Sequence, residues 1–235
     1  MKKVRLTWML ATILFCGQIF VACSKDDNTV DEALQQDAAF QAELNQAMIW
    51  AQLYGPETQS LAEEVAARHN GKTTPINYKT KESIERKCRT DHSTPSELRD
   101  LARTTVICEY DSLQSAIASL QNISTTRNMF GRYKHQTSNY GYWGDIVNLQ
   151  FEYLQTEIQV KSYRMYYAGL PEAECRPVLG DSLFNVIRTE SGVEPGLSHY
   201  YYEIIRSDTA SEATRAYYLT LAIEYHSHFD PDYVK

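Results

Sequence analysis

Apolar residues change their rhythm several times along this chain, and each change marks an element. From Val30 to about His69 they recur three and four positions apart: Ala33-Leu34, Ala38, Phe40, Leu44, Met48-Ile49, Ala51, Leu53, then Leu61 and Val65-Ala66. That spacing predicts two helices divided at Gly55-Pro56. The stretch from Asn70 to Pro75 is polar and reads as a loop. A helix is expected to start near Lys81 with Ile84 and Cys88 on one face, followed by a turn over 91–95 and a short helical segment capped by Ser96. Thr104 to Cys108 is β-branched and apolar, as a buried strand is. Ser112 to Leu120 carries Leu113, Ile117 and Leu120 at helical spacing, and Arg127 to Tyr133 reads as a further strand. Asp145 to Phe151 alternates polar and apolar, and Leu154 to Val160 repeats the pattern, so the two form a hairpin through Glu152-Tyr153. Helical spacing returns over about 161–169, 171–190 and 209–228. Helices first, strands in the middle and helices last predict an α+β fold with a mixed sheet of about four or five strands covered by helices.

The first residues follow a different rule. Met1-Lys2-Lys3-Val4-Arg5 is positively charged, and the apolar run from Leu6 to Ala22 is too short to span a bilayer stably. This is the pattern of a secretory signal. Its end, Phe20-Val21-Ala22-Cys23, resembles the lipobox of bacterial lipoproteins, which implies cleavage before Cys23, lipidation of Cys23 and anchoring to a membrane of the cell envelope, at the outer membrane or cell surface. Ser24-Lys25-Asp26-Asp27-Asn28 resembles the surface-export tag of some Gram-negative lipoproteins and is equally the start of a solvated tether. The expected division is therefore 1–22 signal, 23–30 lipidated tether and 31–235 one domain. Removing 22 of the 235 residues leaves 213, enough for one domain with a substantial core.

A net charge of −7 argues against nucleic acid as a partner, which calls for a basic footprint. Of five cysteines, Cys16 lies in the signal and Cys23 is the anchor. Cys88, Cys108 and Cys175 remain, without CxxC or Cys/His spacing, and are expected as buried thiols. The 17 tyrosines suit half-buried strands and nucleobase stacking alike.

Candidate chemistry is scattered through the middle of the chain. Asp100 stands just before the buried strand and Glu157 inside a later one. Two carboxylates on adjacent strands can each give one oxygen to Mg²⁺, leaving the rest of its shell to water and phosphate. Lys79, Arg86, Lys87, Arg132 and Lys134 bring positive charge to the same stretch. Magnesium with several cations is what phosphoryl or pyrophosphoryl transfer requires. Tyr142, beside Gly141 in a turn, can offer a ring to a purine. Ordinary roles stay open for each: Asp100 capping a turn or pairing with Arg103, Glu157 as a surface strand residue, the cations as solvated helix faces.

The order and spacing of these residues resemble the synthetase domain of RelA/SpoT-type alarmone enzymes and the related small synthetases and toxins. Lys79-Thr80-Lys81-Glu82-Ser83-Ile84-Glu85-Arg86-Lys87 is similar to the family's R-x-K-x-x-x-S-I-x-x-K segment, and Asp100 to Val106 to its D-[IL]-x-x-x-R-[IV] strand entry. Arg132-Tyr133-Lys134 with Asn139-Tyr140-Gly141-Tyr142 resembles R-x-K…N-G-Y. Glu157-Ile158-Gln159-Val160-Lys161-Ser162 with Met165 resembles E-[IV]-Q-[IL]-R-T-x-x-M. His199 to Glu203, with Arg206, resembles a helix that follows in several phage and toxin relatives. The match spans about residues 60–206.

The resemblance implies a nucleotidyltransferase-like fold and transfer of pyrophosphate from donor ATP to the 3′ position of a purine nucleotide. Lys79, assisted by Arg86 or Lys87, is then expected on the donor phosphates, and Asp100 on magnesium. Arg132 and Lys134 are expected to face phosphates, Tyr142 to stack on the acceptor base, and Glu157 to assist magnesium or deprotonate the ribose hydroxyl with support from Gln159. The chain also departs from the pattern. Asn77 replaces the first arginine of R-x-K. Thr105 stands where the strand arginine belongs, though Arg103, two residues earlier, points the same way in an extended strand. The family histidine after N-G-Y is absent, and Asp145 or Asn148 occupies its neighbourhood. A non-catalytic surface lipoprotein, using the same fold to bind or interact, is the alternative.

Overall fold

The computed structural model describes residues 27–207 and 209–229, with side chains from Asp37 onward. The expected signal at 1–22, the lipidation site Cys23 and the first residues of the tether lie outside the described residues. The chain divides into Met1–Ala38 and Ala39–Lys235. Of the first unit, only the opening turns of a helix are described; they include Asp27 to Val30, so the last four residues of the expected tether are helical.

That helix, α1, runs unbroken over Asp27–Arg68, where the sequence predicts two. Pro56 lacks an N–H, so one helical donor is missing, the one for the carbonyl of Gln52 on an exposed turn. On either side of the proline, Leu44, Leu61 and Val65 are fully buried. Burial of each contributes about 1.5–3 kcal/mol, and together they exceed the ~3 kcal/mol that an interior proline costs. Packing therefore overrides the breaker.

Two strands of two residues each follow, β1 (Lys72–Thr73) and β2 (Asn77–Tyr78), in a region expected to be loop. Elements that short carry no periodicity. Helix α2 covers Lys81–Asp91; Thr80 Oγ1 accepts the Ser83 N–H at 3.3 Å as its cap, and Ile84 and Cys88 are buried as expected. The short segment after it is a 3₁₀ turn at Pro95–Glu97. Thr94, rather than Ser96, occupies the cap position, with its N–H donating to Glu97 Oε2 at 2.8 Å. Ser96 instead donates to Glu43 Oε1. Strand β3 (Ala102–Cys108), helix α3 (Leu113–Thr126) and strands β4 (Phe130–Thr137), β5 (Trp143–Gln150) and β6 (Gln155–Ser162) complete the middle. Helices α4 (Tyr163–Gly169), α5 (Glu172–Leu179), α6 (Asp181–Ser191), α7 (Leu197–Ile205) and α8 (Glu212–His226) follow. The single helix predicted over 171–190 is broken at Gly180, whose φ of +81° no helix continues through.

The six strands form one sheet in the order β1–β3–β6–β5–β4, with β2 also on β3. Only β3 and β6 run parallel among these pairs. This is the expected α+β architecture, with one or two strands more than counted from sequence. One face carries Val106, Val147, Leu149, Ile158 and Val160 into the main core against Leu113, Ala116, Ile117 and Leu120 of α3. A smaller core joins Leu44, Ala47 and Ala51 of α1 to Ile84, Leu98, Leu101 and Leu154. Cys88, Cys108 and Cys175 are buried free thiols.

Candidate active site

Alternation along the strands gives the sheet a second, polar face, and the register lines its residues up. Asn77 lies opposite Arg103, Arg103 opposite Glu157, Glu157 opposite Asn148, and Asn148 opposite Arg132. Directly cross-strand residues share a face, so one polar row crosses β2, β3, β6, β5 and β4. The next row holds Thr105, Gln159, Ile146 and Lys134. Arg103 does point the same way as Thr105, as the even spacing requires.

Glu157 sits in the centre of the row, with only 8% of its surface exposed. Gln159 Nε2 donates to its Oε1 at 2.8 Å. Burial pushes its carboxyl above the ordinary range; the Gln159 bond opposes this, and the negative charge of Asp100 adds to it. Asn148 is completely buried and links the row's parts. Its Oδ1 accepts from Arg132 Nε at 2.8 Å, while its Nδ2 donates to the carbonyls of Thr156 at 3.3 Å and Arg99 at 3.4 Å. The edge-strand guanidinium is thereby tied to the residue before Asp100 and the residue before Glu157.

Asp100 occupies the segment leading into β3. Its Oδ2 receives Lys87 Nζ at 2.9 Å and Lys79 Nζ at 3.1 Å. Lys79 is placed by its own N–H, which donates to the Leu101 carbonyl, and Lys87 by the second turn of α2. Burial alone raises the Asp100 carboxyl, but the Lys87 hydrogen bond and the two lysine charges outweigh it and hold the group below its usual value. Pairing with Arg103, one of the ordinary roles open from sequence, is not what is found. Asp100 Oδ1 is buried without a hydrogen-bond partner, an arrangement that costs free energy unless something fills it. Asp100 and Glu157 are the residues that would hold a cation here, and its charge would offset the like charge of the pair. Among the described residues no group of three or more His, Cys, Asp or Glu is arranged for a metal. Two carboxylates can each give one oxygen to an ion such as Mg²⁺ that keeps water and substrate oxygens in its shell.

Asp100, Glu157, Lys87 and Arg132 all line one cavity of about 670 Å³, within the usual range for ligand sites. Its lining holds five carboxylates against three cations, so an anionic substrate is favoured only when it enters with a counter-cation. Arg86 is exposed and is not among the residues lining this cavity, where Lys87 is the cation from α2. Lys134 stands one row along on the exposed edge strand β4. Tyr142 precedes β5 at the other end of the same face, six positions from Asn148, about 20 Å along a strand. Its ring lies under Lys161 Nζ, 5.5 Å from the centroid, and edge-on to His226. Asp145 faces the opposite side, where Tyr133 donates to it at 2.6 Å and His135 Nδ1 lies at 2.9 Å. Arg99 and Tyr153 line the cavity and were not singled out from sequence; adjacency to Asp100 was the available signal for the first, and none marked the second.

No protein-family model matches the sequence. The chain is 29% identical over 172 residues to the (p)ppApp synthetase toxin Tas1 of Pseudomonas aeruginosa strain UCBPP-PA14, covering 69% of this chain. It spans only 38% of that relative's length. A solved complex of the Type VI effector Tas1 with its immunity protein superposes with a TM-score of 0.68 at 26% identity, over 80% of this chain and 96% of that one. The small alarmone synthetase 1 of Bacillus subtilis aligns over 82% and 91% of the two chains, with a TM-score of 0.45 and 13% identity.

Proposed function

We propose, from the premise that this chain is a RelA/SpoT-type synthetase-like domain, that it transfers pyrophosphate from ATP to the 3′-hydroxyl of a purine nucleotide. The observation that carries this is a pair of carboxylates lining one cavity in contrasting surroundings: Asp100 bonded to Lys79 and Lys87, and Glu157 buried with Gln159 on its Oε1, so that the lysines lower the first and burial raises the second. Two acids whose environments drive their proton affinities apart divide the roles of charge stabiliser and proton acceptor between them.

In this scheme Glu157 takes the proton of the acceptor's 3′-hydroxyl. The hydroxyl oxygen bonds to the β-phosphorus of ATP, the bond from that phosphorus to the oxygen it shares with the α-phosphate breaks, and AMP leaves. Lys87 and Arg132 meet the negative charge spread over the phosphoryl oxygens, and Asn148 holds Arg132 in place for it. Gln159 fixes the Glu157 carboxylate. Mg²⁺, held by Asp100 and Glu157, would supply further charge neutralisation on the phosphates. The name of the Tas1 relative, a (p)ppApp synthetase, favours an adenine nucleotide as acceptor. Its solved complex with an immunity protein makes a protective protein that masks the domain the partner to look for.

The first 23 residues add that the protein is exported and lipid-anchored through Cys23 at the outer membrane or cell surface. ATP is scarce there, so the activity is that of an effector that works on the purine pool of a neighbouring cell. The test incubates the purified protein with ATP, Mg²⁺ and each purine nucleotide, and resolves products by anion exchange. A more highly phosphorylated purine nucleotide together with AMP is expected, and neither should form with Glu157→Gln. A folded protein that makes no product with any acceptor would point instead to a binding module.

A further inference from the structure

Helices α7 and α8 are buried at one end only. Within α7 only Ser198 is buried, and the buried residues of α8 are Ala222, Tyr225 and His226, at its close. Tyr225 donates its hydroxyl to the Glu194 carbonyl at 2.9 Å, an ordinary structural bond. His226 is harder to account for: it is 2% exposed, and no step of the proposed reaction uses it. A carbonyl can only accept, so Nδ1, 2.7 Å from the Ala222 oxygen, carries the ring proton. Nε2 then accepts from the Ser198 hydroxyl at 2.9 Å. Burial lowers the ring's affinity for a second proton, in keeping with this neutral form. Both nitrogens are engaged, and the ring plane is fixed.

That ring packs against the turn from β4 to β5. Ser138 closes the turn: its N–H donates to the Tyr142 carbonyl at 2.9 Å, and its Oγ accepts the Tyr142 N–H at 3.0 Å. Tyr140 lies tilted against His226 with centroids 5.5 Å apart, and Tyr142 edge-on at 6.1 Å, both within the range of attractive aromatic pairs. Gly141, at a φ of +88°, comes so close that a Cβ there would stand 2.9 Å from His226 Cβ. The far side of Tyr142 belongs to the polar face. A Cβ on Gly144 would lie 3.6 Å from its hydroxyl oxygen and from Lys161 Cε, and Lys161 Nζ stands over the ring.

We propose that Ser198 and His226 form a latch that positions Tyr142 as the stacking ring for the acceptor base; this rests on the pyrophosphate-transfer function proposed above. Both are positioning residues, acting on the substrate through Tyr142. An apolar pair would fasten two helices as well, but a directional hydrogen bond also sets the angle at which the imidazole meets the tyrosine. A ring held from behind loses little freedom when a base stacks on it. Tyr142 stands six positions from Asn148, about 20 Å along the strand, so loosening it leaves Lys87 and Arg132 in place for the donor phosphates.

Hydrogen exchange and steady-state kinetics on the full chain test this together. Ser198→Ala deletes one oxygen and frees the imidazole, whereas His226→Asn removes the ring. In both, the amides of Gly141 and Tyr142, which donate to Ser138, should exchange about fivefold faster while those of β6 keep their protection. KM for the acceptor nucleotide should rise about fivefold with KM for ATP unchanged. In a Tyr142→Ala background, His226→Asn should add nothing further. Unchanged exchange at the turn would overturn the latch, as would an equal loss toward ATP and acceptor, or a penalty that persists without Tyr142. If the native chain makes no product, the acceptor role fails with the pyrophosphate-transfer function, and exchange at Gly141 and Tyr142 still decides whether the latch holds the turn.

Discussion

Glu157 is a costly residue to keep where it is, and that cost is measurable. Its folded proton affinity is raised, so between the ordinary glutamate value of about 4.3 and its folded value the native state binds more protons than the unfolded chain. Stability contributed there is lost as pH rises through that window. Glu157→Gln removes the charge and keeps the shape, so it should melt higher than the native protein at neutral pH while losing the product. Each kcal/mol recovered corresponds to about 2–4 °C for a domain of this size. A mutant that melts lower at neutral pH would show that the carboxylate is compensated in the fold. Asp100 behaves with the opposite sign, because its folded value is lowered. Its contribution is present above the unfolded value of about 3.9 and lost as pH falls through the folded one. Asp100→Asn should therefore unfold at lower denaturant than the native chain at neutral pH, and that difference should close as pH falls through the folded value. Asn148→Ala leaves the Arg132 guanidinium without its acceptor; steady-state kinetics should show KM for ATP rising together with a fall in kcat of about tenfold or more, as expected when a positioned charge is loosened.

At the scale of elements, the edge strand β4 is held by a detail at one end. The register slips between Phe130 and Arg132, and a Cβ added at Gly131 would stand 2.9 Å from the backbone oxygen of Asn148. Backbone cannot yield as a side chain does, so Gly131→Ala should push β4 away from β5. A loss of about 1–3 kcal/mol in chemical unfolding is expected, and Arg132 should lose its bond to Asn148 in the same step. Much of this level could be read from sequence where the rhythm was long. The β5–β6 hairpin alternates over both strands, and α2 shows its buried face in Ile84 and Cys88. The two residues of β1 and the two of β2 have no rhythm to read, and Pro56 is a local signal that loses to distant packing of Leu44, Leu61 and Val65. Asp100 and Glu157 could be expected near each other because the motifs put one at the entry to β3 and the other in β6, which pair. The row through Asn77, Arg103, Asn148 and Arg132 was not, because it depends on long-range register. Tyr153 and Arg99 join the site only once the turn and the strand entry have met in space.

For the molecule as a whole, the proposed anchor and the proposed chemistry fall on separate stretches of chain and can be tested separately. Cys23→Ser should abolish incorporation of labelled palmitate in cells and release the protein from the membrane fraction, while the purified variant keeps the synthetase activity of the native chain. Labelling that persists in the variant would place the lipid elsewhere. Among the described residues no helix is long and apolar enough to cross a membrane.

The turn between β5 and β6, stacked on α1 through Phe151 on Tyr54 and Tyr153 on Trp50, also limits how such a protein can change over generations. Side chains alternate between the two faces of β5 and β6, so a shift of one residue between these strands sends every side chain to the opposite side. Glu157 and Gln159 would enter the core, and Ile158 and Val160 would face the cavity. An insertion or deletion of a single codon between Phe151 and Leu154 is thus expected to invert the site, whereas substitutions there only retune it. Lineages of this domain should therefore diverge in the identity of these four residues and hold their number fixed.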